Sequence, residues 1–326
     1  MGFLFGSFLH ALVDAILVGI GLKVWRITQA EPRQRFMSLV VVLPGVTPIL
    51  WGILGAEWEW VKIYHGVLFH GERWFRVDLF GVPLIRWSFC ILIGFSAVLF
   101  FFQELLPILR HLRQARLLKR QAENHGARKL SLESLKIPPL KEFRGLNVYV
   151  VPNHWAGISS FYGDPPSIFI EEEVLECLEP EELRAAVAHE LAHIGMERRP
   201  FMFFLYGFRI LGFLNPIVLG GFRFVAHEEE CVCDDRAVWM TSVNPLALAG
   251  ALQKLYAPLE ESGSKENGLL EPLSYPNLEA TGLKEQLNNR IQRLSLESYS
   301  PVAPGYWPEF IVVAIGCLAL SFLVSG

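Results

Sequence analysis

The chain has 326 residues, of which 52% are hydrophobic and 19% charged, and its mean hydropathy is +0.33. That composition is not that of an ordinary soluble domain and makes membrane spans the first feature to seek. A net charge of −4 gives no reason to expect a nucleic-acid partner.

The opening run "GFLFGSFLHALVDAILVGIGLKVWR" lacks a basic leader and carries its charges after the apolar stretch, so it reads as a retained span. Within it His10 and Asp14 lie one turn apart, and ionisable groups at that depth are expected to make a helix–helix polar contact. Three further stretches, 36–55, 87–108 and 308–325, join 3–24 as candidate spans of roughly 20 residues each. The second contains Pro44 and Pro48, which membrane helices tolerate. Lys23, Arg26, Arg33 and Arg35 follow the first span, and Arg110, Arg113, Arg116, Lys119, Arg120, Arg128 and Lys129 follow the third. Basic loops face the cytoplasm. The expected layout is therefore a multi-pass protein of the cell (inner) membrane, with both termini and the aromatic loop 56–86 external. Residues 1–108 hold three spans, 109–306 form a cytoplasmic domain, and 307–326 return through the bilayer. The five cysteines suggest no disulfide framework, which suits a reducing face.

In the domain, 148–162 reads as two short strands around an Asn-His turn and 167–170 as a third. An edge strand there suits main-chain pairing with an extended peptide, with Asn153, Ile158, Ser159 and Ser160 as candidates; the alternative is a sheet edge that only caps the core. His154 reads as a turn residue. Pro180 followed by Glu181 and Glu182 starts a helix over about 180–196. On that helix His189 and His193 share one face, so both imidazoles can reach one tetrahedral metal. Glu190 is rotated by about 100° from His189, which suits a proton acceptor beside the metal. Ala185, Ala186, Ala188 and Ala192 leave room for close packing.

A hydrolytic zinc needs a third protein ligand and an open position. "AHEEECVCDDRAV" (226–238) offers Glu230 and Asp234 one turn apart, so that one can ligate while the other holds a ligand histidine. Glu229, His227 and the Cys231/Cys233 pair are rivals, and a thiolate would suit a structural site that leaves Glu190 without a role. Asp235 and Arg236 read as surface charges. The apolar stretch 201–224 is broken by Asn215-Pro216 and carries Arg209 and Arg223. Because donors on both sides of it must meet one metal, it is expected to dip and return, or to pack as a hairpin. Arg290 is a candidate partner for the developing oxyanion, with a structural ion pair as the other reading. The polar stretch 259–282 is expected to be a loop over the site.

"SSFYGDPPSIFIEEEVLECLEPEELRAAVAHELAHI", then "FLNPIVLGGFRFVAHEEECVCDDRAV" and "NNRIQRL", resemble the BlaR/MecR-type membrane zinc metallopeptidases over about 110–325. HtpX-like and CAAX-processing membrane proteases share the His-Glu-x-x-His and Glu-x-x-x-Asp scheme and are the second resemblance. By position the resemblance implies His189, His193 and Glu230 as zinc ligands, Glu190 as base and Asp234 as the residue orienting a histidine. It implies an α+β membrane protein: four transmembrane helices and a mostly helical gluzincin (thermolysin-like) domain with a small sheet. The implied activity is endopeptidase cleavage of protein or peptide substrates at the bilayer, a repressor or a membrane protein among them. A penicillin-binding sensor follows the last span in receptors of the family; these residues end at "SFLVSG", and β-lactam sensing is not expected of them. "GMERRP" replaces the family's more basic stretch after the motif. The competing expectations are an HtpX-like quality-control protease and a non-enzymatic sensor or scaffold with a structural zinc.

Overall fold

The computed structural model describes residues 2–57, 84–102, 106, 128–130, 146–151, 157–161, 166–195, 199–256, 280–301 and 305–324. Most of the loop 56–86, the basic stretch 110–127, Asn153, His154, Glu197 and the segment 257–279 lie outside the described residues. In chain order the elements are α1 (Gly2–Val24), α2 (Ala30–Glu57), α3 (Leu84–Phe100), β1 (Arg128–Leu130), β2 (Asn147–Val151), β3 (Ile158–Phe161) and β4 (Ser167–Glu171). Then come α4 (Glu172–Cys177), α5 (Pro180–Ile194), α6 (Arg199–Leu211), α7 (Pro216–Thr241), α8 (Pro245–Tyr256), α9 (Ala280–Leu294) and α10 (Trp307–Val324). The described chain is thus mostly helical with one small sheet. It divides into two units: Met1–Phe101, Arg198–Glu229 and Ala303–Gly326 form the first, and Phe102–Glu197 with Glu230–Val302 the second.

In the first unit α1, α2 and α10 pack on one another, and α2 also packs on α6. Its burial runs opposite to that of a water-soluble bundle. Leu12, Ile16, Ile20 and Val24 form an exposed stripe at four-residue spacing along α1, while His10 and Asp14 are fully buried. On α10 Ile311, Val312 and Ile315 are exposed, and Val313, Cys317 and Ser321 are inside. Phe36 meets Phe310 edge-on at 5.6 Å and Trp25 at 6.4 Å between them. The polar contact foreseen for His10 is to α2: its Nδ1 lies 2.7 Å from Thr47 Oγ1.

Helix length supports the membrane reading less fully than hydropathy does. Among the described residues only Gly6–Val24 is long and apolar enough to cross a bilayer, with Phe201–Leu211 and Trp307–Ser321 as shorter apolar helices. α2 begins with Glu31, Arg33 and Arg35, and α3 has 17 residues. Four crossings are therefore an expectation that these helices do not establish. The stretch 201–224 is two helices, broken where the sequence breaks: Asn215 Oδ1 accepts the Ile217 N–H at 3.1 Å and caps α7, and its Nδ2 donates to the Ser7 carbonyl at 3.0 Å.

The second unit holds the sheet, in the order β1-β2-β4-β3. β2 and β4 are parallel and the other pairs antiparallel. The three strands read from the sequence are present, but β4 enters between β2 and β3, and β1 has no hydrophobic signature that would announce it. β3 is an edge. Its entry is set by Gly157 at φ +73°, a conformation that favours glycine. Gly157 exchanges two bonds with Glu171, donating to Oε2 at 3.0 Å and accepting the Glu171 N–H at 2.9 Å.

α5 starts with Pro180 and a capping box in which the Glu179 N–H donates to Glu182 Oε2 at 2.8 Å. Leu183, Val187, Leu191 and Ile194 recur at helical spacing and pack on Val148, Ile168 and Ile170 of the sheet. Ala185 and Ala188 face Ala237, Leu248, Leu252 and Leu294. Small side chains there let α7, α8 and α9 approach the helix that carries both histidines.

Candidate metal centre

His189, His193 and Glu230 converge: one ligand atom from each lies within 4.8 Å of the others. The two Nε2 atoms are 3.2 Å apart, and Glu230 sends Oε2 to 3.4 Å from that of His189 and Oε1 to 3.6 Å from that of His193. All three belong to the second unit. The helical repeat aligns the histidines on α5, and α7 crosses to deliver the carboxylate.

Each imidazole turns its other nitrogen toward α7, where consecutive residues meet them. His189 Nδ1 lies 2.9 Å from Asp234 Oδ1, and His193 Nδ1 lies 3.4 Å from Cys233 Sγ. Asp234 and Cys233 are both fully buried. Glu190 stands on α5 beside this group and is half-buried. Glu230 keeps 40% of its side-chain surface open, so the cluster is reachable from one side.

Arg290, buried on α9, donates from Nε to Asp234 Oδ2 at 2.9 Å, from Nη2 to Oδ1 at 2.8 Å and from Nη1 to Glu230 Oε2 at 3.1 Å. Of the two roles read from the sequence, these contacts are those of the ion pair: the guanidinium spans a candidate ligand and the residue behind a histidine. Asp235 is not a plain surface charge. Its Oδ2 accepts from Arg293 at 2.9 Å and its Oδ1 from the Tyr299 hydroxyl at 2.6 Å.

The electrostatics follow from burial and these pairings. Burial opposes ionisation of Asp234, but Arg290 and His189 outweigh it and hold the carboxyl well below the ordinary carboxylate range. Glu230 behaves alike, lowered by His193, His189 and Arg290 against the effect of burial. Burial disfavours charge on His189, yet its bonds to Asp234 and Glu230 prevail and push it up to about 9. Two carboxylates thus face one guanidinium, and the imidazole is driven to hold a proton. The same excess of negative charge would hold a divalent cation, and two imidazoles with one carboxylate are a donor set that suits zinc.

The rival carboxylate Glu229 and its neighbour Glu228 are engaged inside the first unit. Glu229 accepts from the Gln34 amide, and Glu228 pairs with Arg33 at 2.9 Å. Ile158, Ser159 and Ser160 are half-buried on edge strand β3, which packs against α5. Sequence reasoning missed Tyr256, at the end of α8. Burial, then the charges of Glu230, Glu190 and Asp234 working against Arg290, push its phenol up to about 12. It also missed Cys233 as a partner of His193, although the one-residue offset from Asp234 was a usable signal.

Two histidines one turn apart with a carboxylate from a second helix form a donor set that suits a metallopeptidase. Residues 164–244 match the family model described as BlaR1 peptidase M56, a stretch that includes both histidines, Glu190, Glu230 and Asp234. Over those residues the chain is similar to the peptidase segment of the BlaR/MecR-type family, the resemblance that its motifs suggested. No curated protein matches it.

Proposed function

We propose that the protein is a membrane-embedded zinc endopeptidase that cleaves cytoplasmic or membrane-proximal peptide bonds in signalling or regulated proteolysis. One observation carries the reading. Two imidazoles and a carboxylate converge with their second nitrogens already held, while one side stays open. A scaffold with a structural zinc would need a fourth protein donor. Among the described residues three converge, and the Cys233 sulfur is turned to the far nitrogen of His193.

Held by His189, His193 and Glu230, a zinc ion would supply a Lewis acid able to lower the pKa of a water to about 7. Glu190 takes the proton from the attacking water and hands it to the leaving amine. Edge strand β3 offers main-chain donors and acceptors to an extended substrate, which aligns it without demanding much of its sequence. Asp234 keeps His189 in one tautomer, and Arg290 compensates the charge of Asp234 and Glu230.

The test is Glu190→Gln. The variant is expected to bind zinc like the parent and to lose about 10²–10⁴-fold in cleavage of itself or of a membrane-associated substrate. Undiminished cleavage at full zinc content would remove Glu190 from the mechanism. Proteins that accumulate uncut beside this variant would identify the substrate: a repressor favours signalling, misassembled membrane proteins the HtpX-like reading.

We read the chain as multi-pass, with the catalytic unit cytoplasmic. Tags at residues 30 and 270 are expected on the cytoplasmic side, and tags at residue 68 and the C-terminus outside. Opposite sides for 30 and 270 would overturn that layout.

A further inference from the structure

His189 and His193 differ in what stands behind them. The Nδ1 of His189 has a carboxylate that is itself clamped by Arg290, whereas the Nδ1 of His193 has Cys233. Cys233 is fully buried on α7, between Val232 and Asp234. A sulfur contact at 3.4 Å lies within the normal reach of a weak hydrogen bond, and a thiol sulfur is a weak, neutral acceptor. An imidazole that offers Nε2 to a metal keeps its proton on Nδ1, and the partner of that proton fixes the tautomer and the ring plane.

We propose that Cys233 is the positioning residue of His193: its sulfur accepts the Nδ1–H, turns Nε2 to the metal, and is not itself a ligand. The proposal rests on the reading that this cluster holds zinc. It makes the two histidines unequal. The carboxylate partner raises the basicity of His189 and anchors it electrostatically, while the thiol orients His193 without adding charge. A second carboxylate at position 233 would bury another negative charge next to Asp234, where Arg290 already serves two acids. A neutral sulfur supplies the acceptor without that cost. Cys231, two residues earlier on α7, has the same chemistry and is also buried, its carbonyl accepting from Arg293 at 2.7 Å, and it serves as the control.

The experiment uses the full chain in detergent, loaded with cobalt(II). The parent should bind cobalt with the absorption of a tetrahedral nitrogen–oxygen site and without a thiolate-to-cobalt charge-transfer band. Cys233→Ala should weaken cobalt and zinc binding about tenfold in chelator competition and shift the cobalt spectrum. Cys233→Ser, whose hydroxyl also accepts a hydrogen bond, should recover most of the affinity, and Cys231→Ser should match the parent. A merely structural role would not produce rescue by serine together with a spectral shift. A charge-transfer band that disappears in Cys233→Ser would make Cys233 a ligand and overturn the proposal. Parent affinity and spectrum in folded Cys233→Ala would overturn it too, while leaving the zinc reading intact. A parent that binds neither metal would bring down both.

Discussion

His10 and Asp14 on α1 share their one-turn spacing with His189 and His193 on α5, and all but the half-buried His193 lie in the interior. Their surroundings separate them. Around α5 the second unit hides apolar side chains from water and gives the buried polar groups a dense set of charged partners, with Arg290 on two carboxylates and Asp234 on an imidazole. Around α1 the first unit turns its leucines and isoleucines outward and meets His10 with the hydroxyl of Thr47. The same local pattern thus meets charged partners in one unit and a hydroxyl between helices in the other.

The largest expected effect tests which carboxylate completes the chelating face. Glu230→Gln should abolish stoichiometric metal binding, measured as zinc per chain after dialysis, and Glu229→Gln should retain it because Glu229 serves Gln34. Equal loss from both would move the third ligand away from Glu230.

A contrast in stability comes next. Asp234→Ala strips Arg290 of its two hydrogen bonds to Asp234 in a buried setting and leaves the one to Glu230; removing one partner of such a pair costs about 3–5 kcal/mol. His10→Leu removes a neutral contact, and Thr47 keeps its bond to the Leu43 carbonyl at 2.8 Å. Its expected cost is on the order of 1 kcal/mol or less. Thermal unfolding of both variants in detergent checks the contrast; similar losses would erase the difference drawn between the units.

The smallest effect concerns the start of α5. Burial raises the Glu182 carboxyl, but the Lys254 ammonium at 2.7 Å and the Glu179 N–H more than offset it, so its pKa lies below the ordinary value. Stability from this group is complete above the unfolded carboxylate pKa and is lost as pH falls through the lowered folded value. Glu182→Gln should flatten the acid limb of the stability curve and leave neutral pH almost unchanged. An unaltered acid limb would show that Lys254 and the cap contribute nothing.

What the sequence determined by itself is whatever a helical repeat determines. His189 and His193 share a face because a turn takes 3.6 residues. Pro180 and Glu182 mark where that helix begins, and Asn215-Pro216 marks where the apolar stretch must break. These features depend only on neighbours in the chain. The choice between Glu229 and Glu230 does not, since consecutive helical residues point about 100° apart and either would suit some orientation of α7. Packing of α7 decided it, leaving Glu228 with Arg33 and Glu229 with Gln34 and turning Glu230 to the imidazoles. The same packing set Asp234 behind one histidine and Cys233 behind the other. Arg290 comes from a separate helix, and β4 lies between two strands that precede it in sequence. Such long-range pairings carry no local signal, because their free energy comes from burying charge against charge and strand against strand, which only the assembled chain can do.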